Sequence, residues 1–463
     1  MRAAAIRTAA LRGVLPRLGG DGLGARAIRS ALLTLGGFGA SQALRLASNL
    51  ILTRLLFPEA FGLMALVQVF ITGLAMFSDV GITPAIMQSR RGDDPVFLNT
   101  AWTIQVFRGF ALWVAAALLA LPVAWFYDEP RLAAMLPVAA LGLVISGFNP
   151  TTLETARRHL RYGRITLIDL ASQLVGIGAA VGLALALHSV WALVFSGLVA
   201  AAFQLWAYRR FLPGGRNRLG WERDAVAELI GFGRWIFLST IAGFVHHNGD
   251  RLVLGRFVSL AALGLYNIGF FLASVPMMVG QTLAGRLMIP LYRELAAAAP
   301  PTRPVRLALV RGAVSGGVLA GLWVLGLAGP WLVGLLYDPR YAPAGAVVVL
   351  VALAQIPSAI QLGLDQVALA AGDSARFFRL SAIRASLTLA GLIGGAQLAG
   401  LGGAIAGMGL AALAAWPALI ALARAHAAWD RRHDSLGLAA GAAVAATILW
   451  VHGEKIAPLF SAQ

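Results

Sequence analysis

The chain lacks cysteine altogether. That removes disulfides, thiolate nucleophiles and cysteine-ligated metals. Lysine occurs once, at Lys455, and no Gly-x-x-x-x-Gly-Lys-Ser/Thr loop is present. A phosphate-cradling nucleotidase site is therefore excluded. The seven histidines show no ligand spacing; His246 and His247 are adjacent and would point to different faces of a helix. No catalytic residue, metal or cofactor is expected. Charge is also scarce: 12% of residues are charged, against about 25% in a soluble domain.

Apolar residues fill the space that charge leaves. They make up 59% of the 463 residues, and the mean hydropathy is +0.78. A chain of this length and apolarity cannot hide its surface in one water-soluble core, so lipid must be part of its solvent. Twelve apolar runs of membrane-spanning length lie near residues 31–53, 60–77, 101–126, 132–149, 165–187, 190–208, 231–248, 258–283, 307–327, 342–362, 378–398 and 400–422. A thirteenth, 436–451, is short and rich in Ala and Gly, and reads as a segment that either spans or lies at the interface.

The formal charge of +17 would suit a nucleic-acid ligand, but the arginines are distributed otherwise. With the N-terminus in the cytoplasm, twenty-eight fall on inner connections and helix ends, and five (Arg54, Arg131, Arg251, Arg256, Arg340) on outer ones. That is a positive-inside pattern. It accounts for the charge as topology and lipid attraction, and no nucleic-acid partner is expected.

The sequence also repeats itself. Leu50-Ile51-Leu52-Thr53-Arg54 and Phe61-Gly62-Leu63 return as Leu252-Val253-Leu254-Gly255-Arg256 and Leu263-Gly264-Leu265. Arg108-Gly109 is echoed by Arg311-Gly312, and Tyr127-Asp128-Glu129-Pro130-Arg131 by Tyr337-Asp338-Pro339-Arg340. Matched Arg, Gly and Tyr-Asp positions in one order are not a by-product of apolar composition. They predict an all-α integral membrane protein of two homologous six-helix bundles around a central cleft, related by an axis along the membrane normal. The expected organisation is a basic cytoplasmic N-terminal extension (1–26), an N-terminal bundle (27–212), a cytoplasmic linker (213–230), a C-terminal bundle (231–426) and a tail with the short apolar segment (427–463). The extension, with Arg2, Arg7, Arg12 and Arg17, is similar to a targeting peptide or a basic interfacial helix; its plainer reading is an orienting extension.

Particular stretches carry a resemblance. Ser41-Gln42 through Arg54-Leu55-Leu56-Phe57-Pro58-Glu59-Ala60-Phe61-Gly62 resembles the first hairpin of bacterial polysaccharide flippases. Phe77-Ser78-Asp79-Val80-Gly81-Ile82, Asn99-Thr100-Ala101-Trp102 with Gln105 and Arg108-Gly109, and Asp250 through Arg256 resemble the same family. It is the O-antigen and exopolysaccharide exporter family of the multidrug/oligosaccharidyl-lipid/polysaccharide (MOP) superfamily. The likeness is strong over 30–165, fair over 230–345 and only hydropathic beyond. It implies a transporter, not an enzyme, that flips a polyprenyl-pyrophosphate-linked oligosaccharide across the bacterial inner membrane by alternating access. The implied partners are that anionic lipid-linked oligosaccharide and membrane lipids, with a polysaccharide polymerase and glycosyltransferases as candidates. A cation-coupled multidrug exporter of the same superfamily is the alternative; it would carry acids in its cleft.

Ionisable groups inside spans are costly and usually face a bundle interior or a wet cavity. Arg45 and Asn49 lie four residues apart, and the repeat matches them to His247 and Arg251, also four apart. Each pair shares a helix face if its helix continues. These four are the candidate substrate-binding residues, because arginine grips a pyrophosphate bidentately. The competing reading pairs Arg45 and Arg251 with acids such as Asp169 or Asp250. Asp169 is the candidate proton or sodium carrier, with an interhelical salt bridge as its alternative. Asp79 reads as a cap. Gln42, Gln68, Gln105 and Gln173 must face a cleft or another helix. Trp102, Trp125, Trp191, Trp206 and Trp331 read as an interfacial belt.

Overall fold

A computed structural model describes residues 23–78, 81–233, 236–297 and 303–460. Most of the basic extension at 1–26, and Asp79, lie outside the described residues. The described chain is helical: α1 Leu23–Leu55, α2 Pro58–Phe77, α3 Ile82–Gln88, α4 Pro95–Phe126, α5 Arg131–Gly147, α6 Thr152–Arg158, α7 Tyr162–Leu187, α8 Trp191–Phe211, α9 Arg223–Gly233, α10 Ile236–Phe257, α11 Leu260–Ala273, α12 Val275–Ala297, α13 Arg303–Leu336, α14 Ala344–Ile360, α15 Gln366–Ala370, α16 Ser374–Ala425 and α17 Arg431–Ile456. Among the described residues, eight helices are long and apolar enough to cross a membrane, or ten if two bent pairs each make one span. In lipid every backbone polar group must be satisfied internally, which a helix does within its own segment.

Three departures from the expected segments have local causes. The run expected over 258–283 is bent by 50° between α11 and α12. Pro276 sits at the bend; its ring displaces the preceding turn and it has no N–H to donate. The runs expected at 378–398 and 400–422 form one 52-residue stretch broken only at Ala399 and Gly400, the latter at φ 55°. A left-handed backbone there favours glycine. The chain reverses at this point. A Cβ on Gly391 would lie 2.3 Å from the Gly407 carbonyl, and one on Gly403 2.1 Å from that of Gly395. Gly391/Gly395 and Gly403/Gly407 thus form a four-residue-spaced stripe on each arm, which lets the two backbones touch. Finally, the thirteenth segment is a full helix, α17, of 26 residues. Its start is moved back to Arg431 by the Asp430 side chain, which accepts the N–H of His433 as an N-cap.

The described helices fall into two compact units, one of residues 1–55 with 77–237, the other of 56–76 with 238–463. In the first, α4 packs on α5, α5 and α7 on α8, and α1 on α7. In the second, α14 is the hub, touching α11, α13, α16 and α17. Its Val347-Val348-Val349-Leu350-Val351-Ala352 run is buried throughout, as a helix apolar on all sides should be.

The sequence echoes are built alike. At the end of α4, Glu129 pairs with Arg131 at 2.7 Å and accepts its backbone N–H. At the end of α13, Asp338 pairs with Arg340 at 2.8 Å and accepts its backbone N–H. Arg54 and Arg256 each occupy the last turn of their helix, where a cation meets the negative end of the helix dipole.

Candidate functional site

The two predicted polar pairs sit on unbroken helices. α1 runs through Arg45 and Asn49, and α10 through His247 and Arg251, so each pair does share one helix face. Arg251 is therefore inside α10, six residues before its end, and not on the outer connection to which the charge pattern assigned it. Arg45 is exposed and Asn49 half-buried. Neither arginine forms a salt bridge among the described residues, against the competing reading that paired them with acids. Arg251 donates from Nε to Asn267 Oδ1 at 2.8 Å and stacks over Phe270 at 5.6 Å.

Asp250 points elsewhere. It is 4% exposed, and its Oδ2 accepts the Tyr266 hydroxyl at 2.6 Å. Its Oδ1 is buried and has no hydrogen-bond partner among the described residues. Asp250 and His247 both line a cavity of about 620 Å³ within the second unit, together with Gln281, Gln355, Asp365 and Arg384. Asp365 and Arg384 form an ion pair across it at 3.1 Å. Gln355 Nε2 reaches Ser274 Oγ at 3.4 Å. The wall is thus mainly apolar, and its polar groups are chiefly neutral amides and hydroxyls beside His247, one balanced ion pair and one half-satisfied carboxylate. Sequence reading passed over Gln355, Asp365 and Arg384 because the resemblance fades there. The available signal was polar side chains recurring through an apolar helix and the turn after it.

Asp169 forms no salt bridge among the described residues. It is exposed and accepts from the Tyr208 hydroxyl and from Gln204 Nε2 at 2.9 Å. Three glutamines have structural partners. Gln105 Nε2 lies within 3.2–3.3 Å of the carbonyls of Ser146, Gly147 and Asn149, closing the end of α5, where helix carbonyls lack intrahelical partners. Gln173 and Ser41 are joined by two hydrogen bonds, tying α7 to α1. Gln68 donates to Thr72. Trp102 is not a belt residue: it is 9% exposed and donates to the Phe148 carbonyl. Trp125 and Trp331, at 87% and 67% exposure, do face outward.

A multi-pass helical chain with these broken helices has the all-α membrane fold of the MOP superfamily. The lipid II flippase MurJ in an inward closed conformation superposes with a TM-score of 0.65 at 9% identity, covering 93% of this chain and all of that one. An inward-facing multidrug resistance MATE family transporter gives 0.62 at 14% identity, over 88% and 96%. Within that fold, residues 51–300 match the profile of the polysaccharide biosynthesis protein family, and the chain belongs to it. It is similar to the lipopolysaccharide biosynthesis protein WzxC of Escherichia coli, 25% identical over 54% of this chain and 51% of that one. It is also similar to the succinoglycan biosynthesis transport protein ExoT of Rhizobium meliloti, 24% identical over 58% and 53%. The chain thus spans about half the length of the curated relatives it matches.

Proposed function

We propose that the protein flips a polyprenyl-pyrophosphate-linked oligosaccharide across the bacterial inner membrane by alternating access, its N-terminus cytoplasmic, in the synthesis of a surface or secreted polysaccharide. It moves its substrate without making or breaking a bond. The observation that carries this reading is the coincidence of family membership with the MOP fold, in a chain whose helices α1 and α10 carry Arg45 and Arg251. Arg45 and Asn49 on α1, and His247 and Arg251 on α10, take the anionic headgroup. The Arg251 guanidinium, held by a neutral amide and a ring face and not by a carboxylate, keeps its positive charge available. Asp169 and Asp250 are the carboxylates available for coupling to a cation gradient. A polymerase and glycosyltransferases acting on the same lipid-linked chain are the proposed partners.

The test is complementation of a strain lacking its own flippase for a defined glycan, scored by surface polysaccharide and by accumulation of lipid-linked intermediate. The Arg45→Ala and Arg251→Ala variants, at matched membrane levels, should each lose transport, since a charge-assisted hydrogen bond contributes about 1.5–3 kcal/mol. Arg45→Lys should retain part, because charge survives while the bidentate fork is lost. Normal export by the double alanine variant would reject the site.

One observation favours the second reading, a cation-coupled multidrug exporter. The unpartnered Oδ1 of Asp250 is the kind of group that an organic cation or a metal ion would neutralise. Raised resistance to cationic drugs on expression, lost in Asp250→Asn, would support that reading against the first.

A further inference from the structure

The segment between α8 and α9 is a strap laid on one helix, not a loose tether. Asn217 and Thr151 exchange two hydrogen bonds, at 2.7 and 3.0 Å. Three alternate backbone amides then meet side chains of α4. The N–H of Arg218 donates to Asn99 Oδ1 at 3.0 Å, that of Gly220 to Thr103 Oγ1 at 3.0 Å, and that of Glu222 to Thr100 Oγ1 at 3.2 Å. The two threonine hydroxyls spend their own protons on the carbonyls of Val96 and Asn99, so both oxygens are free to accept. Arg91 closes the far end on Glu222 at 2.6 Å. The strap hands over to α9, whose Ala225 and Leu229 are buried in a cluster with Ile82, Ile86 and Phe97.

What the strap leaves exposed is unusual for a polar connection. Leu219 is 72% and Trp221 63% exposed. Five arginines flank them, Arg209, Arg210, Arg216, Arg218 and Arg223, with one acid, Glu222, in the same stretch; that acid is already paired with Arg91. The stretch starts where a membrane-spanning helix ends, and the exposed Trp206 and Phe211 mark the same boundary. Satisfied backbone, bare Leu and Trp, and surplus arginine are what a segment at the headgroup boundary of an anionic leaflet needs.

We propose that the strap is a lipid-interface anchor. Leu219 and Trp221 enter the boundary between headgroups and acyl chains, Arg216, Arg218 and Arg223 take the phosphates of anionic phospholipids, and Asn99, Thr100, Thr103 and Thr151 hold the backbone where water is scarce. The anchor fixes the first unit to the leaflet. It does not depend on the transported substrate.

The absence of cysteine makes the test direct. Leu219→Cys, Trp221→Cys and, as a control, Gly215→Cys are each labelled with a polarity-sensitive fluorophore and reconstituted in nanodiscs of phosphatidylcholine with or without phosphatidylglycerol. Labels at 219 and 221 should be quenched by lipid spin-labelled near the headgroup and shielded from aqueous acrylamide, several-fold more than the label at 215. Phosphatidylglycerol should increase that contrast, and Arg216→Ser with Arg218→Ser should remove the increase. Equal acrylamide quenching at all three positions would overturn the proposal. So would shielding seen in native membranes but not in nanodiscs, which would mean that a protein covers the strap.

Discussion

Arg311 and Asp434 form an ion pair 2.8 Å long with side-chain exposures of 1% and 7%, and it fastens α17 to α13. The carboxylate also accepts the Trp429 indole N–H at 3.1 Å, and His433 lies against it and against Ser315. A buried guanidinium stripped of its partner is an uncompensated charge costing about 3–5 kcal/mol. Asp434→Ala is expected to lower the unfolding temperature sharply, read by intrinsic tryptophan fluorescence. Arg311→Met combined with Asp434→Leu should recover most of the loss. A double variant as unstable as the single one would show that the pair is not what docks the helix.

Gly62 on α2 and Gly264 on α11 pack backbone to backbone within the second unit. A Cβ on Gly62 would lie 2.0 Å from the Leu260 carbonyl, and one on Gly264 2.0 Å from that of Pro58. Neither obstacle is a movable side chain. Gly62→Ala and Gly264→Ala should each destabilise by about 1–3 kcal/mol, the usual cost of overpacking. Because both act on one crossing, the double variant should cost less than the sum. Full additivity, measured by thermal unfolding, would reject a shared contact.

Asn99, Thr100 and Thr103 should control access to the strap. Replacing them together, as Asn99→Ala, Thr100→Val and Thr103→Val, removes three hydrogen bonds of about 1 kcal/mol each. Trypsin should then cut faster at Arg216 and Arg218 in membrane preparations. An unchanged cleavage rate would mean that those bonds do not hold the segment.

Asp94 caps α4 through the N–H of Val96. Hydrogen bonds from Arg91 and then from Val96 hold its carboxyl below the ordinary value of 3.8. A depressed folded-state pKa contributes stability above the unfolded value and loses it as pH falls through the folded one. Hydrogen exchange in the peptide over residues 90–100 should therefore show the same protection, corrected for intrinsic rate, from pH 7 to pH 5, and lose it only below 3.8. Loss of protection between pH 7 and pH 5 would contradict the assignment.

Helix placement was the legible part of this sequence. The helices follow the apolar runs because lipid leaves the backbone no other option. The duplicated turn at Glu129–Arg131 and Asp338–Arg340 was visible because its ion pair is local. The partners of buried polar groups were not visible. Nothing in the order of residues says that Gln105 seals the end of α5, that Trp102 turns inward, or that Arg311 reaches Asp434, 123 positions away. The linker was read only as a cytoplasmic connection around Pro213-Gly214-Gly215, and its hold, which comes from side chains on α4, was not visible. Asp250 drew less notice than Arg251 because a count of charges cannot tell which neighbour is buried with an unused oxygen.

The contact between Gly62 and Gly264 is also reciprocal. Each glycine is met by the carbonyl four residues before the other, so α2 and α11 contribute the same atoms in exchanged roles. That reciprocity belongs to an isologous interface, the kind two identical subunits make across a twofold axis. Neither glycine can therefore gain a side chain without disturbing the backbone that carries the other.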